Sequence, residues 1–448
     1  MGDRSKTTSR RQFVKSATGA IAAFTIVPRH VLGQGQTPPS EKLNVAGIGV
    51  GGRGGAGVDG TKNENIVAMC DVDSRRAADA FARFPKARKY RDYRRLLDEM
   101  DSQIDAVTIA TPDHTHTVIA LDAIRRGKHV YCEKPLAHSI HEVRTLMKAA
   151  REHKVITQLG NQGHSYDTIR MFCEWIWDGA IGNVTEVHAA CESVYSAIDN
   201  LSRLQETHEV PAELDWDLWL GPAPFRPYHP MYVPGTWRRW MPFGCGVIGD
   251  WVCHVVDPVF WALDLGSPKT VQARAKGYDP KAHRETFPKG TVVTYEFEAK
   301  GDRGPVKLIW HDGVETIPRP DDLEPGRNAP GTGAIVIGDK GKIMYGSHGA
   351  GGLRMFPEEK MKAYTQPARK LPRVKDHFVD WLDAIKNGTK AGSDFDYGGP
   401  LTEIALLGII ATKRLGEKLE WDGPQARFTN SAEANQCLNP PYREGWTL

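Results

Sequence analysis

Three groups of residues in this 448-residue chain could do chemistry together. Gly47, Gly49 and Gly52 spell G-x-G-x-x-G directly after the apolar run LNVAGIGV. In that setting the first glycine allows a tight turn, the second lets backbone approach a pyrophosphate, and the third lets the following helix pack on the strand with its N-terminus facing the anion. Asp71 closes the next apolar run, about 20 residues further on, where a carboxylate accepts hydrogen bonds from ribose hydroxyls. Lys134 stands in CEKPLA (Cys132 to Ala137), where Pro135 bars it from helical geometry. An ammonium so aimed can lower the pKa of a substrate hydroxyl and anchor it. In GCGVIGDWVCHVVD (Gly244 to Asp257), a helix from Val247 onward puts Asp250 and His254 one turn apart on one face. The imidazole could take a hydroxyl proton as hydride leaves the same carbon, with the carboxylate fixing its orientation.

Each group also has an ordinary reading. A glycine turn can be empty, a loop lysine is commonly a surface residue, and a histidine on an apolar helix is commonly a core residue. It is the conjunction that points to a dinucleotide and a proton relay. Asp71 and Asp73 would repel a 2′-phosphate, which favours NAD over NADP, although Arg75 and Arg76 lie close by. A divalent ion held by Asp250, His254, His164 and His229 is the sharper rival, but these residues form no tight ligand cluster in sequence, so no metal is expected.

The elements that must position these residues follow from periodicity. LNVAGIGV, NIVAMCD, DAVTIAT, KHVYCE and VITQLG are near-continuous apolar runs, as buried parallel strands are. Amphipathic stretches from Arg75 to Phe84, Tyr93 to Met100, Thr117 to Arg126 and Ile140 to His153 alternate with them, which predicts a doubly wound parallel sheet. After Gly160 the rhythm changes. A helix (Asp167 to Trp177) and a strand (Val184 to Ser193) precede a Pro- and Trp-rich stretch, Pro211 to Phe243. Five alternating runs follow (KTVQARAKGY, TVVTYEFEA, PVKLIWHDG, GAIVIGD, GKIMYG), and helices Asp376 to Asn387 and Leu401 to Leu415 close the chain. The expected architecture is α/β: a Rossmann domain over residues 40–160, then an α+β substrate and oligomerisation domain with an antiparallel sheet over 161–448. In the Trp-rich stretch, Trp216, Trp219, Trp237, Trp240, Tyr228 and Tyr232 are either the core of a loop-rich region or, beside Arg238, Arg239 and His229, a sugar pocket.

Composition narrows the function. A net charge of +3, spread along the chain, leaves no electrostatic footprint for nucleic acid. Residues 1–35 differ from the rest: SRRQFVK (Ser9 to Lys15) precedes a small apolar run, Ala17 to Pro28, about half the length that a spanning helix needs. The order resembles a twin-arginine signal, which implies export of an already folded protein to the periplasm and no stable membrane span. Seven cysteines without a CxxC pair predict buried thiols and no disulfide framework.

GIGVGGRG, ATPDHTH, EKPLA and GDWVCHVVDPVFWALDLG, in this order and spacing, resemble the Gfo/Idh/MocA oxidoreductase family from about Leu43 to the C-terminus. ELDWDLWLGPAP, FDYGGPLTE and PYREGW resemble its secreted members. The resemblance implies a Rossmann domain followed by a domain with a large open sheet that often supports homo-oligomers. It implies Lys134 and His254, with Asp250, as catalytic residues, and cofactor contacts at Arg53, Thr111, Pro112, His116 and Glu133. The chain departs from the family's usual glycine two residues after the aspartate, carrying Val252 there. The expectation is an NAD-dependent oxidoreductase acting on a hydroxyl carbon of a sugar or polyol. For an exported protein, a tightly held cofactor must be returned to its starting state within each cycle. Redox-neutral glycoside cleavage and a non-catalytic sugar or dinucleotide sensor are the alternatives.

Overall fold

The computed structural model describes residues 41–448. The signal-like segment lies outside the described residues. Six parallel strands form the first sheet: β1 (Asn44–Ile48), β2 (Asn65–Cys70), β3 (Arg88–Tyr90), β4 (Ala106–Ile109), β5 (His129–Cys132) and β6 (Thr157–Leu159). Their order, β3-β2-β1-β4-β5-β6, reverses direction between β1 and β4, and ligands of such sheets bind above that point. The central strands are buried on both faces, as their unbroken apolar runs require. Polar β3, with sequence RKY, had no such signal and forms the edge.

Local chemistry starts the intervening helices where the sequence has Asp or Ser. Asp73 caps Ser74–Arg83 by accepting from Arg75 N, and Asp92 caps Tyr93–Met100. Ser139 and Glu142 form a reciprocal capping box at Ile140–His153.

The second sheet has nine strands: β7 (Val184–Cys191), β8 (Thr270–Arg274), β9 (Gly290–Phe297), β10 (Val306–Gly313), β11 (Thr332–Gly338), β12 (Lys342–Gly346), β13 (Arg354–Phe356), β14 (Leu419–Asp422) and β15 (Arg427–Phe428). Its order is β13-β12-β11-β7-β10-β9-β8-β14-β15, antiparallel throughout except at β7–β10. The protein is therefore α/β, with a Rossmann sheet and a large, mostly antiparallel one.

Two late helices join the sheets. His377–Asn387 lays Phe378, Trp381 and Leu382 on Val45, Ala106 and Tyr131 of the first sheet, with the Tyr131 and Phe378 rings stacked at 4.5 Å. Each large side chain buried there contributes about 1.5–3 kcal/mol. Phe395–Lys413 begins six residues before the Leu401 start expected from the sequence, because Asp394 caps it by accepting from Tyr397 N. Gly398 and Gly399 then press it against Leu159 and Met147, where a Cβ would come within 2.7 Å of the first and 2.5 Å of the second. Six of the seven cysteines are buried, and all seven are free thiols. Among the described residues no helix is long and apolar enough to cross a membrane.

Candidate active site

A cleft of about 650 Å³ opens above the β1–β4 switch point, bounded on one side by the glycine turn and on the other by the second domain. The glycines divide their work differently from the simple motif reading. Gly47 remains in β1 and makes room for Val58, since a Cβ there would stand 2.8 Å from that side chain. Gly49 makes the turn, with φ +77°, and a Cβ on it would lie 2.9 Å from the Ala110 and Thr111 backbone. Gly52 caps the helix Arg53–Gly60, and the closest approach of helix to turn belongs to Gly54, whose Cβ would collide with the Gly49 carbonyl. No side chain caps this helix and no acid lies in its first turn, so its N-terminal end is open to an anion.

Asp71 is held at the cleft edge. Its carboxylate accepts from Gly51 N (2.8 Å) and Asp73 N (2.9 Å). Burial pushes its pKa up, and the two backbone donors oppose that. Asp73 is committed elsewhere, to the helix cap and to Arg75. On the opposite wall Arg53 Nε donates to Glu133 Oε1 (2.8 Å), and Arg53 Nη2 to Gln162 Oε1 (3.1 Å). Thr111 and Pro112 line the floor. His116 also lines the cleft, but its ring nitrogens face the carbonyls of Thr111 and Pro135, both at 2.9 Å. It thus ties the Thr111 loop to the Lys134 loop rather than offering a free nitrogen. Five buried polar atoms on cleft-lining residues have no hydrogen-bond partner: Thr111 Oγ1, Glu133 Oε2, Thr236 Oγ1, Trp251 Nε1 and His254 Nδ1. Unpaired buried polar groups are costly, so their clustering here fits a polar ligand such as a dinucleotide and its co-substrate.

Lys134, Asp250 and His254 converge on this cleft. Lys134 Nζ forms an ion pair with Asp250 Oδ1 and donates to the Asp250 carbonyl (3.0 Å). Tyr195 OH donates to Asp250 Oδ2 (2.9 Å), and Arg238 Nε lies 3.5 Å from Oδ1. Burial alone would raise the Asp250 pKa; the Lys134 and Arg238 charges overcome it and hold the carboxyl well below the usual carboxylate range. His254, one turn on in the helix Gly246–Val255, is driven well below its ordinary pKa by burial and then by the Lys134 ammonium. A neutral imidazole beside an ammonium can accept a proton from a hydroxyl that the ammonium polarises. Asp250 is occupied with Lys134 and Tyr195, so it orients the ammonium, in place of the expected role of orienting His254 directly.

The metal alternative separates in space. His164 is buried against Asp257 (Nδ1 to Oδ1, 3.1 Å), while Asp250 is engaged by Lys134. His229 lies with Glu206 and His208, the one group of three potential ligands among the described residues. Its Nδ1 accepts from Met231 N (3.1 Å), which leaves the proton on Nε2, the nitrogen facing Glu206. That nitrogen has no lone pair to give a metal.

The Trp-rich stretch is mostly a satellite core: Trp216, Trp219, Trp240, Tyr228 and Tyr232 pack around Phe243. Trp237 and Arg238 also line the cleft, with the guanidinium 4.2 Å over the indole ring. The same region supplies a roof that sequence reading missed. Asp73 and Leu214 form an antiparallel β-bridge, Ser74 N donates to Glu213 O (3.2 Å), and Asp215 N donates to Val72 O (2.9 Å). Leu214 and Leu218 thereby line the cleft, together with Trp446 of the C-terminal tail.

His348 was missed too. It stands in the β12–β13 loop with its ring 4.2 Å from that of His254, and it lines the cleft. Its φ is +45°, and that of Ala350 is +60°. For residues with a Cβ the left-handed region costs about 1–2 kcal/mol each. The loop is braced by Thr168 Oγ1 donating to Gly349 O (2.5 Å) and by the close approach of Gly349 to Gly163. Nothing in the sequence pattern announced what this loop would face.

Sheet order, glycine turn and cleft define a dinucleotide-binding α/β protein. Residues 43–161 match the Gfo/Idh/MocA description "oxidoreductase family, NAD-binding Rossmann fold", and residues 199–448 match "oxidoreductase family, C-terminal alpha/beta domain". The chain belongs to the Gfo/Idh/MocA oxidoreductase family. It is 25% identical over 286 residues to levoglucosan dehydrogenase of Pseudarthrobacter phenanthrenivorans, covering 62% of this chain and 64% of that one. It is 34% identical over 117 residues to inositol 2-dehydrogenase of Rubrobacter xylanophilus, covering 25% of this chain and 33% of that one. Both matches thus span less than two thirds of the relative's length. An inositol dehydrogenase homolog from Azotobacter vinelandii, solved with NADH and myo-inositol, shares the fold with a TM-score of 0.56 at 17% identity, over 85% of this chain and 98% of that one.

Proposed function

We propose that the protein is an NAD-dependent dehydrogenase acting on a secondary hydroxyl of a sugar or polyol. The observation that carries this reading is the convergence of Lys134 and the neutral His254 in the cleft that begins at the glycine turn. Bound there, a nicotinamide cofactor would supply the hydride acceptor. Gly49, Gly51 and the N-terminal end of Arg53–Gly60 would face its pyrophosphate, Asp71 its ribose, and Arg53 and Glu133 the other wall. Lys134 would polarise the substrate hydroxyl and His254 would take its proton. Asp71, pre-oriented by two backbone donors, favours NAD over NADP, with Arg76 beside Gly52 the one feature pulling the other way. The curated relatives are named for levoglucosan and inositol, which supports a carbohydrate or polyol substrate.

Two further features support a cofactor that stays bound and is recycled. Leu214, Leu218 and Trp446 add apolar walls to the cleft that also contains Asp71, and SRRQFVK supports export through the twin-arginine route to a compartment without free nucleotide. Homo-oligomerisation through the open sheet belongs to the same proposal. The test is to purify the protein without added nucleotide and identify what copurifies by mass spectrometry. Levoglucosan, myo-inositol and D-glucose are then added while reduced-nicotinamide absorbance is followed. Bound NAD that is reduced by one of them supports the reading; absence of nucleotide binding refutes it. A sensor would bind nucleotide and sugar without reduction.

A further inference from the structure

We infer that the sugar taken by this site carries a carboxylate, and that Arg238 is the residue that selects it. The inference rests on the dehydrogenase reading above and names its substrate class: a sugar acid, oxidised at a hydroxyl of the ring that bears the acid. Charge left over in the cleft points to it. Two ion pairs there balance, Lys134 with Asp250 and Arg53 with Glu133. Asp113 accepts from Cys245 N (2.9 Å), and burial raises its pKa to about 7, so it is only partly ionised at neutral pH. Arg238 lines the same cleft, and its nearest carboxylate contact is Nε at 3.5 Å from Asp250 Oδ1, an oxygen already paired with Lys134. Among the described residues neither Arg238 nor the adjoining Arg239, which also lines the cleft, donates a side-chain hydrogen bond. A partly enclosed cation with unspent donors is a seat for an anion.

Arg238 is held in place for this. Its side chain is 31% exposed, and the guanidinium rests over the Trp237 indole, 4.2 Å from the ring centroid, which fixes its position and leaves its N–H groups free. The turn that carries it, Thr236–Arg239, is braced from both sides. Thr286 Oγ1 donates to the Arg239 carbonyl (2.6 Å), and Trp240 Nε1 donates to the Met231 carbonyl (3.0 Å). Thr236 Oγ1, on the same turn, is a further polar atom without a partner. A planar guanidinium fork matches the two oxygens of a carboxylate, whereas a hydroxyl fills one donor at most. Because Lys134 and Arg238 both approach Asp250 Oδ1, a hydroxyl at the ammonium and a carboxylate at the guanidinium lie within the span of one sugar ring. The acid takes no part in the chemistry. Hydride leaves the hydroxyl carbon for the nicotinamide, the hydroxyl proton goes to His254, and the carboxylate stays ionised throughout.

The test compares binding within matched pairs. Dissociation constants of D-glucuronate against D-glucose, and of D-galacturonate against D-galactose, are measured on the full-length holoprotein by equilibrium dialysis of isotopically labelled sugars. Glucose phosphorylated at its primary hydroxyl serves as a second anion. Each acid is expected to bind at least about tenfold more tightly than its neutral partner, the factor that one charge-assisted hydrogen bond adds. Arg238→Gln is expected to abolish that preference, and Arg238→Lys, which keeps the charge without the fork, to retain part of it. A variant damaged only in shape would weaken both members of a pair and leave their ratio unchanged, so an unchanged ratio in Arg238→Gln overturns the proposal. So does equal binding of acid and neutral sugar by wild type, tighter binding of the sugar phosphate than of glucuronate, or binding of neither acid. Failure of the dehydrogenase reading is seen separately, as absence of cofactor reduction by any sugar while the preference for acids stands.

Discussion

The ammonium of Lys134 is shared between the carboxylate and the backbone carbonyl of Asp250, so one residue of the second domain fixes the cleft lysine of the first by two contacts. The pair is largely buried, at 13% side-chain exposure on each partner. Breaking such a pair from one side costs about 3–5 kcal/mol, because the other charge is left unpaired. Asp250→Ala is therefore expected to lower thermal stability more than Lys134→Met combined with Asp250→Leu, and differential scanning calorimetry of the two variants checks this.

Lys134→Ala removes the group proposed to polarise the substrate hydroxyl. Turnover on whichever sugar reduces the bound cofactor should fall about a hundredfold or more, as general acid–base groups typically contribute. Bound nucleotide should remain, since the glycine turn and Asp71 are untouched. Wild-type turnover by the variant would remove Lys134 from the mechanism.

Trp446 closes the cleft from the C-terminal tail, flanked by the guanidinium groups of Arg94 at 5.0 Å and Arg443 at 5.9 Å. Arg443 in turn donates to Asp217 Oδ1 (2.6 Å) and to the Gly221 carbonyl (2.6 Å). An aromatic face against a base is worth about 1–3 kcal/mol, so Trp446→Ala should speed release of bound nucleotide about tenfold. Chasing the purified protein with isotopically labelled NAD measures it, and an unchanged release rate would show that the tail does not retain the cofactor.

Acid should destabilise the protein below about pH 6.5. Burial lowers His114 to about 3 and His116, His138 and His377 to about 4. A lowered histidine pKa means that the unfolded chain binds a proton that the folded chain refuses. Stability is then full above the unfolded value and is lost as pH falls from about 6.5 towards 4, by up to about 1.4 kcal/mol per pH unit for each group. Asp113, raised to about 7, and Asp312, raised to about 6, act in the opposite sense, because burial favours their protonated forms when folded. The four histidines outweigh the two carboxyls in this window. Urea midpoints measured from pH 7.5 to pH 5 should decrease throughout.

The parallel strands, the Asp- and Ser-capped helices and the convergence of Lys134 with His254 were legible because each rests on short-range periodicity or on a motif with one geometric solution. The Phe395–Lys413 helix was read short, from Leu401, although Asp394 caps it six residues earlier and Gly398 and Gly399 let it approach Leu159 and Met147. His348 and the Asp73–Leu214 bridge left no trace in pattern. Both depend on segments far apart in sequence meeting at one cleft, and periodicity carries no information about such meetings. Asp250 lies beside Lys134 in the cleft, a pairing that could not be read because Lys134 lies more than a hundred positions upstream.

The helix that seals the first sheet, His377–Asn387, comes more than two hundred residues after the last strand of that sheet, Thr157–Leu159. Until it emerges, Val45, Ala106 and Tyr131 face water, and the nucleotide seat built on those strands lacks its backing. Synthesis and assembly are thus uncoupled for this molecule: a truncation anywhere before Phe378 yields two unfinished halves, where one might have expected a free-standing nucleotide-binding fragment.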